Sequence, residues 1–479
     1  MSATAEVETA QERLTPHERL ELLCDHGSFE PIRSGVLSPK LGARARAGDG
    51  VVGGIGRVDG RPVACYAQDA SYLGGSLGAA HADTINRVLS LAGRSRVPVV
   101  GFIESGGARM QEGTAALGGY GRIFRHNVAL SGIVPQISII GGLSAGGGCY
   151  SPALTDFVVM TEQAAMFLTG PGVVKDVMGE DVSAAELGGH KVHERNGVCD
   201  LVVEDDRGAA LLSRRLLSYL PQHRESGLPR TLTVEPSMPD PGAAVPDDPR
   251  KVYDVRDAIA GIVDGGSLLE IQPRWARSIV TAFARIDGRS VGVIANQPRY
   301  LGGVLDAESS QKGARFVETC DAYGIPLVVL VDTPGFMPGT RQEQAGVIRF
   351  GACLVRAFAA ATVPRVTVVL RKAYGGAFIT MNSKDLGADL VFAWPQAEIG
   401  VMGAQPAVGI IHRRELAAAE DPAAERARLA AAYAEEHLGA DVAAAAGFVD
   451  EVIEPVQTRA RLASALTTMD DRRAGAFIA

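Results

Sequence analysis

The groups in this chain best placed to do chemistry are backbone N–H groups at glycine turns. From Pro135 to Pro152 the sequence reads PQISIIGGLSAGGGCYSP: a β-branched run, then glycines, then the opening of a helix. The run suits a strand covered on both faces, expected over Ile137 to Ile140, and glycines after it let N–H groups approach a ligand closely. Such a turn is an anion holder, with Gly146 and Gly147 at its centre. The second half repeats it, because Pro364 to Phe378 reads PRVTVVLRKAYGGAF and places Tyr374, Gly375 and Gly376 in the matching position. A further turn, Glu104-Ser105-Gly106-Gly107-Ala108-Arg109, offers N–H groups and a cation together. Two later strands are expected to end at Gly170-Pro171-Gly172 and at Gly403-Ala404, followed by Gln405 and Pro406.

A second chemistry competes for the first turn. Gly142-Leu143-Ser144-Ala145-Gly146 matches the G-x-S-x-G nucleophile elbow of serine hydrolases, for which His190 or His193 and an aspartate would be partners. The repeat argues against it: counted back from each glycine pair, Ser144 falls opposite Ala373, so the turn recurs without the serine. His190 and His193 lie in a polar segment and read as surface residues, and no metal site is expected.

The elements that must position these turns repeat as well. Val97 to Gly107 precedes the first copy and Ile325 to Gly335 the second; Pro98 to Pro135 spans 37 residues and Pro326 to Pro364 spans 38. Each half shows strand, glycine turn, helix, strand and glycine turn in the same order, which predicts two homologous α/β domains. They are expected at 1–220 and 251–479, divided by an extended linker, 221–250, that holds seven prolines. A helix capped by Thr15-Pro16 is expected over His17 to Leu23, a hairpin about Asp59-Gly60, and helices over 78–92, 255–264, 307–320 and 345–360. The tail from Glu415 reads as an Ala-rich helix followed by a strand in GFVDEVIEP.

Composition narrows the function. A chain of 479 residues, 46% hydrophobic and 21% charged, builds several domains, and a net charge of −8 argues against nonspecific nucleic-acid binding. The six scattered cysteines read as reduced core thiols, and no signal peptide or membrane span is visible, so a cytoplasmic protein is expected.

Seven ordered blocks carry a resemblance to a known family. They are ESGGARMQEG (Glu104 to Gly113), AGGGCYSPALTDF (Ala145 to Phe157), TGPGVVK (Thr169 to Lys175), GEDVSAAELGG (Gly179 to Gly189), VDTPGFMPGTRQE (Val331 to Glu343), RKAYGGAF (Arg371 to Phe378) and VMGAQ (Val401 to Gln405). Over about residues 15 to 460 the chain resembles the carboxyltransferase (beta) subunits of biotin-dependent acyl-CoA carboxylases, of the propionyl-CoA carboxylase type. The resemblance implies two crotonase-like domains built from repeated ββα units. It also implies transfer of a carboxyl group from carboxybiotin, carried by a partner protein, to the α-carbon of an acyl-CoA, with two oxyanions to stabilise. By resemblance, Gly146 and Gly147 serve the acyl-CoA thioester as it becomes an enolate. Gly403 and Ala404 serve the biotin ureido oxygen. Gly106, Gly107, Ala108, Arg109, Gly170, Tyr374, Gly375, Gly376, Gln405 and Pro406 line the substrate and cofactor sites. Pro406 stands where many members carry glycine. A biotin carboxylase with its biotin carrier is the implied partner, since the AMKM attachment sequence is absent from the chain. The implied assembly is a homo-hexamer with active sites between the first domain of one subunit and the second of another. A biotin-independent acyl-CoA decarboxylase would use the same holes in reverse.

Overall fold

A computed structural model of the chain describes residues 13–469. The polypeptide forms two compact units, one comprising residues up to 193 with 202–217, the other 194–201 with 218 onward.

In the first unit the strands are β1 (Glu30–Ile32), β2 (Val51–Val58), β3 (Arg61–Gln68), β4 (Val99–Ser105), β5 (Gln136–Ala145), β6 (Phe157–Thr161), β7 (Ala165–Phe167) and β8 (Leu201–Val203). They form a sheet in the order β1-β2-β3-β4-β5-β6-β8, with β7 paired to β5 off this path. β2 and β3 are antiparallel, joined by Asp59 and Gly60 at φ 50° and 77°, the positive-φ pair a tight hairpin demands. β3, β4, β5 and β6 pair in parallel, because helices Ala79–Ser95, Thr114–Leu130 and Gly147–Ala153 return the chain between them. The helix Pro16–Leu23 begins as expected, with Thr15 and Glu18 forming a capping box and Pro16 in the first turn.

The second unit repeats this plan. Its strands are β9 (Leu269–Ile271), β10 (Ile279–Ile286), β11 (Arg289–Asn296), β12 (Leu327–Thr333), β13 (Arg365–Tyr374), β14 (Leu390–Ala393), β15 (Glu398–Gly400) and β16 (Glu451–Val452). Read from the other edge, the order β9-β10-β11-β12-β13-β14-β16 matches the first sheet strand for strand, and β15 leaves the path at β13 as β7 does at β5. The hairpin turn is again Asp-Gly, Asp287 and Gly288 at φ 51° and 71°. Even the irregularity recurs. Ile103 pairs with Ile140 and then Ser105 with Ser144; Val331 pairs with Val369 and then Thr333 with Ala373. In both units two steps on one strand span four on its neighbour, a bulge that re-aims the strand end just before its glycine turn. Ser144 and Ala373 are therefore structural equivalents, as the repeat implied.

Several expectations change in detail. Ile137 to Ile140 lies in the first half of a strand that runs from Gln136 to Ala145. The strand expected to run into Gly170-Pro171-Gly172 is only β7, and the glycines instead cap and open the helix Pro171–Met178. The expected terminal strand shrinks to Glu451–Val452 after three helices, Arg413–Ala418, Pro422–His437 and Ala440–Ala445. Cys353 is exposed, unlike the other five cysteines. The proline-rich segment is fastened along the second unit. Thr231 donates to the Gly288 carbonyl at 3.0 Å and Ser237 to Ala260 at 3.1 Å. The buried Arg371 guanidinium donates to the carbonyls of Asp248 and Lys251 at 3.1 and 2.9 Å. Prolines, which lack an N–H, suit a strap whose hydrogen bonds are this sparse.

The first unit buries a histidine. The Gln68 amide oxygen accepts the Glu104 N–H at 3.1 Å, so its NH2 group faces His81 Nε2 at 3.0 Å, and that nitrogen must accept. The ring is held neutral: burial, then the charge of Arg109, push its pKa down to about 3. Because the folded value lies below the unfolded one, this contribution to stability is complete above about pH 6.5 and is lost as pH falls towards 3. The stability difference between pH 7 and pH 5 is expected to be about 2 kcal/mol larger in the wild type than in His81→Gln. Urea midpoints at the two pH values measure it, and equal differences would contradict the assignment.

Candidate active site

The first glycine turn is built where β5 passes beyond the sheet. Gly146 sits at φ 59°, ψ −124°, a conformation open to glycine. Its N–H donates to the Phe167 carbonyl at 3.1 Å, because the β5–β7 ladder extends one residue further. That corrects one expectation: the Gly146 N–H is engaged within the fold and is not free for an oxyanion. The free donors are one step on. Gly147 and Gly148 open the helix Gly147–Ala153, where no earlier carbonyl reaches them, and neither N–H has an acceptor among the described residues. A Cβ on Gly147 would stand 2.7 Å from carbons of the Tyr120 ring. Glycine is thus required there by Tyr120 packing.

Tyr120 ties two turns together. Its hydroxyl lies 3.0 Å from Ser105 Oγ, which also accepts the Gly107 N–H at 3.2 Å. Burial pushes the phenol up to about 12, so it stays protonated. Within the Gly106–Arg109 turn, Gly106 donates to the Gly74 carbonyl at 2.8 Å, and Gly107 adopts φ 97°. Leu77 donates to Gly107 and accepts from Arg109, at 2.8 and 2.9 Å. By strand alternation the Ala108 N–H between them points the other way, towards the β5 side. The two turns are close, since a Cβ on Gly107 would lie 3.5 Å from the Ala145 carbonyl.

Arg109 does not serve as expected. Its side chain is wholly buried and meets Asp49 Oδ1 at 2.6 Å and Glu112 Oε1 at 2.9 Å. Its other terminal nitrogen donates to the Ser76 carbonyl at 2.9 Å. A cation whose two terminal nitrogens are engaged in this way, and whose Nε–H is buried without a partner, holds three segments together and is out of reach of an anion from outside.

In the second unit, Gly375 follows β13 at φ 60°, and a Cβ on it would lie 3.1 Å from the Val401 carbonyl. Gly376 faces open space. Gly403 caps the helix Ala404–Ile411, whose first hydrogen bond is Ala407 N–H to the Gly403 carbonyl at 3.2 Å. The N–H groups of Ala404 and Gln405 are unpartnered among the described residues and lie at a partly exposed turn. Pro406 has no N–H and occupies the first helical turn, where proline is tolerated. Gly170 of the first unit is the counterpart of Gly403, with φ −70° and ψ 161° against −61° and 157°. It is followed by Pro171, so the donor that Ala404 offers has no equivalent there.

The hydrolase reading fails on geometry. Ser144 is fully buried on the strand and donates to the Gly148 carbonyl at 3.0 Å, while His193 Nε2 lies 2.6 Å from the Met166 carbonyl. Ser144→Ala is therefore expected to leave turnover within about twofold and to cost about 0.5 to 1.5 kcal/mol of stability, the net worth of one hydrogen bond. Turnover lost at an unchanged melting temperature would restore the nucleophile. No cluster of three or more metal-ligating side chains occurs among the described residues, and no helix there is long and apolar enough to cross a membrane.

The Carboxyl transferase domain family matches residues 7–478. The chain belongs to this family. It is 47% identical to the methylmalonyl-CoA carboxyltransferase 12S subunit of Propionibacterium freudenreichii subsp. shermanii, over 98% of this chain and 91% of that protein. It is also 47% identical to the propionyl-CoA carboxylase carboxyltransferase subunit of Haloferax mediterranei, over 96% and 91%. Identity is 45% to the methylmalonyl-CoA decarboxylase subunit alpha of Propionigenium modestum, over 98% and 92%. The crystal structure of the transcarboxylase 12S hexamer with methylmalonyl-CoA and methylmalonic acid bound superposes with a TM-score of 0.92 at 47% identity, covering 98% of this chain and 91% of that one. The two units are thus the paired crotonase-like domains of a carboxyltransferase. The sequence reading missed Tyr120 and Glu398, and placed Ser105 in a turn without seeing that its hydroxyl braces it. Tyr120 and Glu398 belong to ordinary helix and strand patterns with no local signal.

Proposed function

We propose that this carboxyltransferase moves a carboxyl group between carboxybiotin on a partner's carrier protein and the α-carbon of an acyl-CoA, propionyl-CoA being the first substrate to test. The observation that carries the reading is the pair of open backbone donor sites, Gly147 in the first unit and Ala404 in the second, in a chain nearly half identical to carboxyltransferases of this type. Negative charge develops on two oxygens in this reaction, on the thioester and on the ureido group, and preorganised N–H donors stabilise such charge. Gly147, with Ala108 beside it, serves the thioester side, and Ala404 with Gln405 the ureido side. The first unit takes the acyl-CoA side and the second the biotin side, the expected limits of 1–220 and 251–479 shifting because 194–201 and 218–250 belong to the second unit. Carboxybiotin supplies the carboxyl group and, once the group has left, a nitrogen basic enough for the α-proton. No His or carboxylate of this chain is needed for that step. Tyr374, Gly375, Gly376 and Pro406 shape the surroundings of the second turn, and Gly106, Gly107 and Gly170 those of the first. A biotin carboxylase partner, a homo-hexamer and a cytoplasmic setting complete the proposal.

The test is carboxylation of acetyl-CoA and propionyl-CoA with bicarbonate, ATP and a biotin carboxylase bearing biotinylated carrier. Product that requires the biotinylated carrier supports the reading. The likeness to a decarboxylase subunit favours one alternative, in which methylmalonyl-CoA releases CO2. Release without any biotin acceptor, and no transfer when one is present, would replace carboxyl transfer with that reading.

A further inference from the structure

The two units carry the same backbone at the turn after β7 and β15, and each sets an aromatic ring beneath the cap glycine, Phe167 under Gly170 and Tyr374 under Gly403, but only the tyrosine can be tethered by a hydrogen bond. Tyr374 ends β13 and its hydroxyl donates to the Glu398 carboxylate on β15. The Tyr374 ring lies under Gly403, where a Cβ would stand 3.2 Å from its edge. β15 is anchored on its other side, since Ile399 donates to the Leu438 carbonyl at 2.8 Å. Lys372, opposite Glu398 in the strand register, turns its amine to the Pro249 carbonyl at 3.1 Å. In the first unit the register places Ala145 where Tyr374 stands and Ala165 where Glu398 stands. There the following helix begins with Pro171, which has no N–H to position. The first unit thus keeps a ring, Phe167, but lacks both the tether and the donor, whereas the second unit has both.

We infer that Tyr374 and Glu398 are positioning residues for the Ala404 donor: the hydrogen bond fixes the tyrosine ring as a floor beneath Gly403 and so sets the direction of the N–H that follows. This rests on the proposed carboxyl transfer and names the side chains that make its second donor site rigid. Neither side chain touches the reacting atoms. A misplacement of about 1 Å in such a site costs on the order of a hundredfold in rate.

The experiment uses the full chain with its biotin carboxylase partner and propionyl-CoA. Stoichiometry of acyl-CoA binding counts correctly folded sites, so kcat is expressed per binding site. Tyr374→Phe keeps the floor and removes the tether, Glu398→Leu removes the acceptor, and Glu398→Gln keeps one. Tyr374→Phe and Glu398→Leu are each expected to lower kcat per site by about 10- to 100-fold, with the KM for propionyl-CoA within about twofold. Glu398→Gln should retain most of the rate, and the double variant should be no slower than the slower single one, because the pair acts as a unit. A merely structural pair would reduce the number of binding sites without changing kcat per site. Rates per site within threefold of wild type, losses that multiply in the double variant, or an acyl-CoA KM rising in step with the loss would each overturn the inference. If Glu398→Leu does not fold, Tyr374→Phe decides alone. A wild type that transfers no carboxyl group at all would instead sink the underlying function.

Discussion

Ala404→Pro is expected to lower kcat for carboxyl transfer by about a hundred- to a thousandfold, equivalent to about 2.7 to 4 kcal/mol of transition-state stabilisation, while the protein folds normally. Proline at the first helical position removes one N–H and fits the helical φ, and the extended residue before it tolerates a following proline. The protein already contains this arrangement, because Gly170-Pro171 opens the helix Pro171–Met178 with nearly the same cap dihedrals as Gly403-Ala404. The substitution therefore converts the second unit's turn to the first unit's version and deletes one donor. The checks are carboxyl-transfer kinetics and a thermal melt. Full activity at an unchanged melting temperature would show that the Ala404 N–H stabilises nothing in the reaction.

The second large effect concerns stability. Arg109→Met is expected to cost about 3 to 5 kcal/mol, because it strands two buried carboxylates that the guanidinium now pairs. Asp49 accepts from Arg109 at 2.6 Å and from the His81 N–H at 2.9 Å. Glu112 accepts from Arg109 at 2.9 Å, from the Ala79 N–H at 2.7 Å and from the Ser38 hydroxyl at 2.8 Å. Burial raises the Glu112 pKa, but those donors outweigh it and hold the carboxyl below its ordinary range. Asp49→Asn and Glu112→Gln added to Arg109→Met should recover part of the loss, since the stranded charges go with them. Urea unfolding of the three proteins measures this. A loss under about 1 kcal/mol in Arg109→Met would mean that the cation is not part of the fold's support and would reopen its role as an anion ligand.

Much of the architecture was legible because its signals are local. Asp59-Gly60 demands a positive-φ hairpin, Thr15-Pro16 with Glu18 demands a helix start, and β-branched runs ending in glycine demand buried strands. The duplication was visible because the two halves keep the spacing of these signals, and the bulges at Ser105 and Thr333 show that the repeat extends to backbone register. The short β7 was not legible, since Ala164 to Leu168 is an unbroken apolar run while the ladder stops at Phe167 and the chain turns at Gly170 to start a helix.

The sequence by itself determined the α/β class, the doubled plan and the positions of the glycine turns, because each depends on residues within a few places of one another. Only the tertiary structure decided which of those turns offer a free donor. The Gly146 N–H is taken by Phe167, twenty-one residues on, and Arg109 is taken by Asp49, sixty residues back. Glycine at 147 answers to Tyr120, and the Ala404 donor rests on a tyrosine–glutamate pair brought together across two strands. Hydrogen bonding and packing are settled between segments distant in the chain, so a backbone group's freedom to act on a substrate is a property of the folded neighbourhood and not of the turn that carries it.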